Sequence, residues 1–186
     1  MRREIAAAPR LVVLGVGSRE KGDDAAGVLC ADAVRAGLRA GGRTSILAVA
    51  GGDAPESATG PIRRFRPTLV LIVDAALSRR RPGSVFFVRP EEVVEGAPTT
   101  HALPLRLLVR YLEETAGCRV LVLGIQPKTI LWGTPPSAEV RTAAGKIAKE
   151  ILAAAAGVRS SSASTRKGRS SPRSLRAGEA RRCSRP

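Results

Sequence analysis

The chain has 186 residues, 44% of them hydrophobic, which is enough for one domain with a full core. No apolar run approaches the roughly 20 residues of a membrane span, and the first ten residues lack a signal-peptide core, so a cytoplasmic protein is expected. The formal net charge is +15, but one Tyr, one Trp and three Phe leave few rings to stack bases, which argues against nucleic-acid binding as the main function.

The first predicted element is a strand at Leu11–Leu14, because a run of branched apolar residues is typical of a strand buried on both faces. Gly15 and Gly17 follow and permit a sharp turn where a side chain would clash. A helix is then predicted at Ala25–Leu38. A strand, a glycine turn and a helix start place this turn at the carboxyl edge of an α/β sheet, where such proteins keep their sites.

This turn carries an acidic pair, Asp23 and Asp24, directly before the helix. The phosphate-binding fingerprints do not fit, because Glu20 occupies the third glycine position of a dinucleotide motif and Gly22 lacks the Lys-Ser/Thr of a P-loop. Carboxylate oxygens suit a hard cation better than a phosphate. Asp23 is expected to be a helix N-cap, whereas Asp24 is either a metal ligand or a partner of the helix dipole.

The rest of the chain alternates between strands and helices. Four more apolar runs predict strands at Thr44–Val49, Leu69–Val73, Ser84–Val88 and Arg119–Ile125. Helices are predicted around Ser57, ending before Gly60 and Pro61, at Leu103–Glu114, and after an N-cap at Ser137. The turn between the third and fourth strands is too short for a crossover helix, so an antiparallel pair is expected there. The order predicts a three-layer α/β/α sandwich with about five mostly parallel, twisted strands and one antiparallel edge strand.

The positive charge is concentrated at the C-terminus. Residues 157–186 are rich in Ser and Arg and hold nine Lys or Arg against one Glu, a net charge of +8. Residues 1–156 hold 22 Lys or Arg against 15 Asp or Glu, a net charge of +7. We therefore expect one α/β domain at 1–156 and a disordered tail at 157–186, with at most non-specific contact to nucleic acid through its charge.

Three cysteines, Cys30, Cys118 and Cys183, are odd in number and far apart. This spacing predicts neither a disulfide framework nor a Cys-x-x-Cys metal site. Cys30 and Cys118 are expected to be small buried residues.

Three side chains with metal-binding atoms fall at equivalent places in the predicted layout. Asp24 follows the first strand, Asp74 ends the third, and His101, the single histidine, precedes the Leu103–Glu114 helix. The carboxyl ends of parallel strands lie on one edge, so two carboxylates and an imidazole could form a divalent-metal site with positions open for substrate. Each residue also has a structural alternative. Asp24 could be a partner of the helix dipole, Asp74 a strand cap and His101 an ordinary loop residue.

An ordered set of motifs runs through the chain from Leu11 to Leu152: GVGSREKGDDAAG, AGGDAPES, LIVDAALS, the RPG turn before SVFFV, TTHALPL, VLGIQPK and Trp132-Gly133 ahead of the last helix. This set resembles the hydrogenase maturation endopeptidases. The resemblance implies an endopeptidase that removes the C-terminal peptide from a nickel-loaded hydrogenase large-subunit precursor.

By the same resemblance, Asp24, Asp74 and His101 are the catalytic and nickel-contacting residues. The nickel belongs to the substrate, so no tightly bound cofactor is expected, and the partner is the large-subunit precursor. The sequence departs from the family pattern at Ser18, where the family has Asn, and at Ala25, where it has Gly.

Two alternatives stay open from the sequence. These departures are compatible with a non-enzymatic nickel-binding assembly factor on the same fold, which would bind the precursor without cutting it. The second alternative is a small-molecule hydrolase or phosphorylase of related architecture, because fold alone does not determine function. The acidic pair argues against the second alternative, since such a pocket needs phosphate-binding donors.

Overall fold

The structure, a computed structural model, describes residues 1–41, 45–88 and 102–162. In this part of the chain the strands are β1 Leu11–Val16, β2 Ile46–Gly52, β3 Leu69–Ala75, β4 Val85–Val88 and β5 Arg119–Ile125. The α-helices are α1 Arg2–Ala7, α2 Ala26–Gly41, α3 Thr59–Phe65, α4 Ala102–Ala116 and α5 Ala138–Ser162. Two 3-10 turns, at Gly22–Ala25 and Pro55–Ala58, lead directly into α2 and α3.

The five strands form one mixed sheet in the order β2-β1-β3-β5-β4. The first four in this order are parallel, and β4 is antiparallel to β5 at the edge. This confirms the predicted fold class. The predicted pairing of Ser84–Val88 with Leu69–Val73 is wrong, because β5 lies between these two strands. β5 is buried along most of its length and needs a neighbour on each side, whereas β4 is largely exposed and suits an edge.

Two apolar clusters cover the two faces of the sheet and complete three layers. Alternate residues of β1 point to opposite faces: Val13 packs in the cluster with α2 and α5, and Val12 packs in the cluster with α3 and α4. Leu71 and Ile72 of β3 divide between the faces in the same way. Every residue of β1 and β3 is buried, as expected for central strands of such a sandwich.

The N-terminal helix α1 was not predicted from the sequence. It is six residues long, and Ile5 is its one buried residue, so it shows no helical periodicity. Ile5 packs in the α2/α5 cluster, and Arg2 forms an ion pair with Glu150 of α5. Contacts far along the chain therefore hold this helix in place.

The predicted helix break at Gly60 and Pro61 is wrong, since both residues lie inside α3. Pro61 occupies the first turn of that helix, where its missing N–H would have no intrahelical acceptor in any case. At the other end of the chain, α5 continues to Ser162, past the predicted start of the tail, and residues 163–186 lie outside the described residues.

Within the described ranges, each helix is too short or too polar to span a lipid bilayer.

The prediction that Cys30 and Cys118 are buried is confirmed. Burial raises the pKa of the Cys30 thiol to about 12 and also raises the pKa of Cys118. Because the thiolate is the reactive form, we expect iodoacetamide to modify Cys30 in the native protein at least about 100-fold more slowly than in denaturant. Peptide mass mapping at matched times checks this result, and rapid native labelling of Cys30 would contradict its placement in the core.

Candidate active site

The carboxyl edge of the parallel strands brings four connections together. These are the turn after β1, the end of β2, the segment after β3 and the loop after β5. In a sheet of this type, ligands bind at this edge, where the strand order reverses on either side of β1. Two residues of the site predicted from the sequence, Asp24 and Asp74, lie at this edge.

Gly27 lets α2 pack directly against the sheet. A Cβ atom on Gly27 would lie 2.0 Å from the Val73 carbonyl oxygen and 2.5 Å from that of Val16, so no side chain fits there. Gly27 therefore allows close contact between this helix and the sheet. The 3-10 turn that carries Asp24 consequently packs against β3, at the end where Asp74 lies.

Asp24 is a buried carboxylate with one satisfied and one unsatisfied oxygen. Its side chain is 2% exposed, and its Oδ2 accepts a hydrogen bond from the Ser18 backbone N–H at 2.7 Å. Its Oδ1 is buried and has no hydrogen-bond partner among the residues that the structure describes. Gly17, with φ of +116°, allows this geometry, because a Cβ atom there would lie 1.9 Å from the Asp24 carbonyl oxygen.

Asp74 is the second predicted ligand and lies one residue before the end of β3. It is fully buried, and its Oδ1 accepts a hydrogen bond from the Ala75 N–H at 2.8 Å. This bond is the one that the strand-cap alternative predicted. Full burial is nevertheless rare for an aspartate, so Asp74 stays a candidate for a functional role at this edge.

His101, the third predicted ligand, lies outside the described residues. Among the residues that the structure does describe, no group of three His, Cys, Asp or Glu side chains is arranged to hold a metal ion. The described part of the chain thus provides two of the three predicted ligands, Asp24 and Asp74, on neighbouring elements.

Comparison with known proteins gives consistent matches. A sequence profile described as hydrogenase maturation protease matches residues 28–154, a range that begins after Asp24 and includes Asp74 and His101. The hydrogenase 3 maturation protease of Escherichia coli is 36% identical over 133 residues, 71% of this chain and 82% of that protein. The crystal structure of a NiFe hydrogenase maturation protease, HycI from Thermococcus kodakarensis, matches with a TM-score of 0.75 at 30% identity, covering 83% of this chain and 97% of that one.

A solution structure of the endopeptidase HycI from Escherichia coli matches with a TM-score of 0.66 at 32% identity, covering 77% of this chain and 90% of that one. The chain belongs to the hydrogenase maturation protease family. It is therefore a peptidase, and the resemblance seen in its sequence motifs is confirmed.

In this hydrogenase maturation protease, the first acid of the pair has a role that the sequence did not reveal. Asp23 is fully buried and is not a helix N-cap, since Lys21 occupies the cap position and makes no side-chain cap bond. The Asp23 carboxylate instead accepts four hydrogen bonds from the loop after β5. Their donors are the backbone N–H groups of Lys128 (2.7 Å), Thr129 (3.2 Å) and Ser137 (2.5 Å) and the Ser137 hydroxyl (3.0 Å).

Backbone hydrogen bonds reinforce the attachment of this loop, residues 126–137, to the turn. The N–H of Asp23 donates to Thr129 O at 2.9 Å, that of Gly22 to Thr134 O at 3.1 Å, and that of Gly133 to Glu20 O at 2.7 Å. The loop ends at Ser137, whose Oγ accepts a bond from the Val140 N–H at 3.4 Å, so its predicted N-cap role is confirmed. The loop and the turn that carries Asp24 thus form one connected unit.

A cleft of about 340 Å³ opens on the other side of the same turn. Ser18, whose N–H binds Asp24, lines the cleft together with Arg19 and the segment from Ala50 to Asp53 at the end of β2. Gly17, Gly51 and Gly52 leave backbone accessible in this lining, which also includes the acidic residues Glu20 and Asp53. A surface with accessible backbone beside a buried carboxylate can receive an extended peptide.

Proposed function

We propose that this protease removes the C-terminal peptide from a nickel-loaded hydrogenase large-subunit precursor and recognises the nickel through Asp24, Asp74 and His101. The observation that carries the proposal is the buried Asp24 Oδ1, which has no hydrogen-bond partner in the described part of the chain. Leaving such an oxygen unsatisfied costs free energy, so it is typically retained where a ligand completes it. Asp74, buried on the adjacent strand, supplies a second carboxylate on the same edge.

The donor set suits the metal that the substrate would bring. Imidazole and carboxylate ligands bind nickel among other divalent cations, and three protein ligands leave positions for groups of the precursor. Bound in this way, the substrate's nickel fixes the precursor on the sheet edge, so that the segment to be cut lies beside Ser18 in the cleft. A cation next to the scissile bond also polarises its carbonyl group, which is the chemistry that hydrolysis needs.

The described cysteines do not offer a competing nucleophile. Cys30 is fully buried in the core, and Cys118 is buried near the far end of the sheet, at the start of β5. Burial raises the pKa of both thiols, which disfavours the thiolate that a cysteine protease requires. These placements favour hydrolysis without a cysteine nucleophile.

The test is mass spectrometry of a cognate large-subunit precursor, incubated with this protein, with nickel loaded or omitted. We expect loss of the C-terminal peptide only from the nickel-loaded precursor. Substituting His101 with Ala should remove this cleavage, because the imidazole is one of the three proposed ligands. A precursor that binds but stays uncut in both conditions would replace the protease assignment for this substrate with an assembly role.

A further inference from the structure

The loop after β5 exposes three consecutive large apolar side chains, Ile130, Leu131 and Trp132, which we call the apolar tip. They are 43%, 66% and 65% exposed. Isolated exposed apolar residues are common on protein surfaces, but a contiguous group typically marks an interaction site.

The apolar tip is held in place rather than loosely attached. Hydrogen bonds to Asp23 and to the backbone of the 20–23 turn flank it on both sides, at Thr129 and at Gly133. Within the tip, Leu131 O accepts bonds from the N–H and the hydroxyl of Thr134. An exposed apolar surface that is already ordered loses little conformational entropy on binding, which favours its use as a docking surface.

The position of the tip indicates what it binds. The turn that holds the tip through backbone hydrogen bonds is the turn that carries Asp24, so the tip and Asp24 belong to one connected unit at the carboxyl edge of the sheet. We propose that the apolar tip docks an apolar segment of the hydrogenase large-subunit precursor next to the cleavage site. This inference rests on the proposed function, since it assigns a further contact to the same substrate.

Charges around the tip specify the chemistry of that segment further. Lys21 lies over the Trp132 ring, 5.5 Å from its centre, and Lys128 lies at the start of the loop, in an ion pair with Glu139. The neighbouring turn, bonded to Gln126 at the beginning of the loop, exposes Leu77 and the basic residues Arg79, Arg80 and Arg81. The acids Glu139 and Glu20 offset two of these five basic residues, and the net positive charge that remains favours an apolar segment flanked by acidic side chains.

Leucine substitutions give a matched pair for the test. Leu131 and Leu107 are exposed to nearly the same extent, 66% and 62%, but Leu107 lies on α4, which packs on the face of the sheet opposite to α5. With nickel-loaded precursor we expect Leu131→Ala to raise KM about tenfold, and Trp132→Ala to raise it by more, because central apolar anchors carry most of the affinity of an interface. In both variants kcat should stay within about twofold of the parent, and Leu107→Ala should change neither constant.

The single tryptophan allows binding to be measured independently of cleavage. Because Trp132 is the one Trp of the chain, fluorotryptophan labelling gives one fluorine NMR signal from the tip. Adding unlabelled precursor should shift this signal in the parent protein, whether or not the precursor is cut, and Leu131→Ala should need about tenfold more precursor for the same shift.

The two proposals fail in different ways. If the parent cleaves the precursor but Leu131→Ala and Trp132→Ala keep the parent KM, the docking surface is overturned and the protease function stands. If the parent shifts the fluorine signal without cleaving, docking stands and the cleavage assignment fails. A fluorine signal that does not move when precursor is added overturns docking of the precursor. A signal that moves only with the concentration of the protein itself also overturns it, and indicates instead that the tip contacts another copy of this chain.

Discussion

Asp24→Asn is expected to reduce nickel-dependent cleavage of the precursor by at least about 100-fold. The amide keeps the size of the side chain and an oxygen for the Ser18 N–H, but it removes the negative charge and replaces one cation-binding oxygen with a nitrogen that bears hydrogens. Stability should change by less than about 1 kcal/mol, because the orphaned Oδ1 contributes no hydrogen bond that the substitution could break.

The comparison that makes this result specific uses another aspartate of the same region. Asp32 lies on α2, is partly exposed, and pairs with Arg19 and Arg35 at the surface. Exposed pairs of this kind contribute little, so Asp32→Asn should leave the unfolding free energy nearly unchanged and should lower cleavage far less than Asp24→Asn, even though its partner Arg19 lines the cleft. Cleavage by Asp24→Asn at the parent rate would remove Asp24 from the proposed nickel site. Thermal unfolding of both variants shows whether any loss of activity reflects loss of fold.

The central sheet could be predicted because its strands are continuous apolar runs. Burial on both faces requires such runs, so β1, β3 and β5 are visible in the sequence, and a parallel arrangement then places Asp24 and Asp74 on one edge. Gly27, inside the helix α2, is informative about packing of that helix on the sheet. A glycine in a helix costs free energy, and the contact with the Val73 carbonyl oxygen explains why it is tolerated.

The features that the sequence did not reveal depend on contacts between distant residues. The position of β4 beside β5 reflects the need of the buried strand β5 for a neighbour on each side. The helix α1 is held mainly by packing of Ile5 against the α2/α5 cluster, next to the exposed ion pair between Arg2 and Glu150. Asp23 is the clearest example, because a polar residue before a helix is usually a cap. Its actual donors lie more than 100 residues further along the chain, in a loop without periodicity.

The structure also gives a physical reading of the two departures from the family pattern. The bond from residue 18 to Asp24 comes from its backbone N–H, so Ser in place of Asn leaves this contact intact. Ala25 is 1% exposed and lies in the 3-10 turn, so its methyl group has been accommodated without displacing Asp24 from the sheet edge. Neither change removes a group that the proposed nickel contacts require.

Asp23→Ala should lower the free energy of unfolding by about 3 kcal/mol or more. Asp24→Asn, in contrast, is expected to lower activity with little effect on stability. Four donors in the loop after β5 lose a buried charged acceptor at once, and hydrogen bonds to charged groups each contribute about 1.5–3 kcal/mol. Asp23→Asn should also destabilise, because its NH₂ group would face N–H donors. Urea unfolding gives the difference in unfolding free energy directly.

Hydrogen exchange then locates the effect. In Asp23→Ala the amides of Lys128, Thr129 and Ser137 should lose protection, whereas those of β1 and β3 should follow only the global change in stability. Since the same loop carries the apolar tip, KM for the precursor should rise in this variant as well. Unchanged stability together with unchanged protection of these three amides would mean that the backbone bonds at Gly22, Asp23 and Gly133 suffice to hold the loop. The Asp23 carboxylate would then not be needed to hold the loop. The assignment of loop attachment to Asp23 and substrate contact to Asp24 would lose its basis.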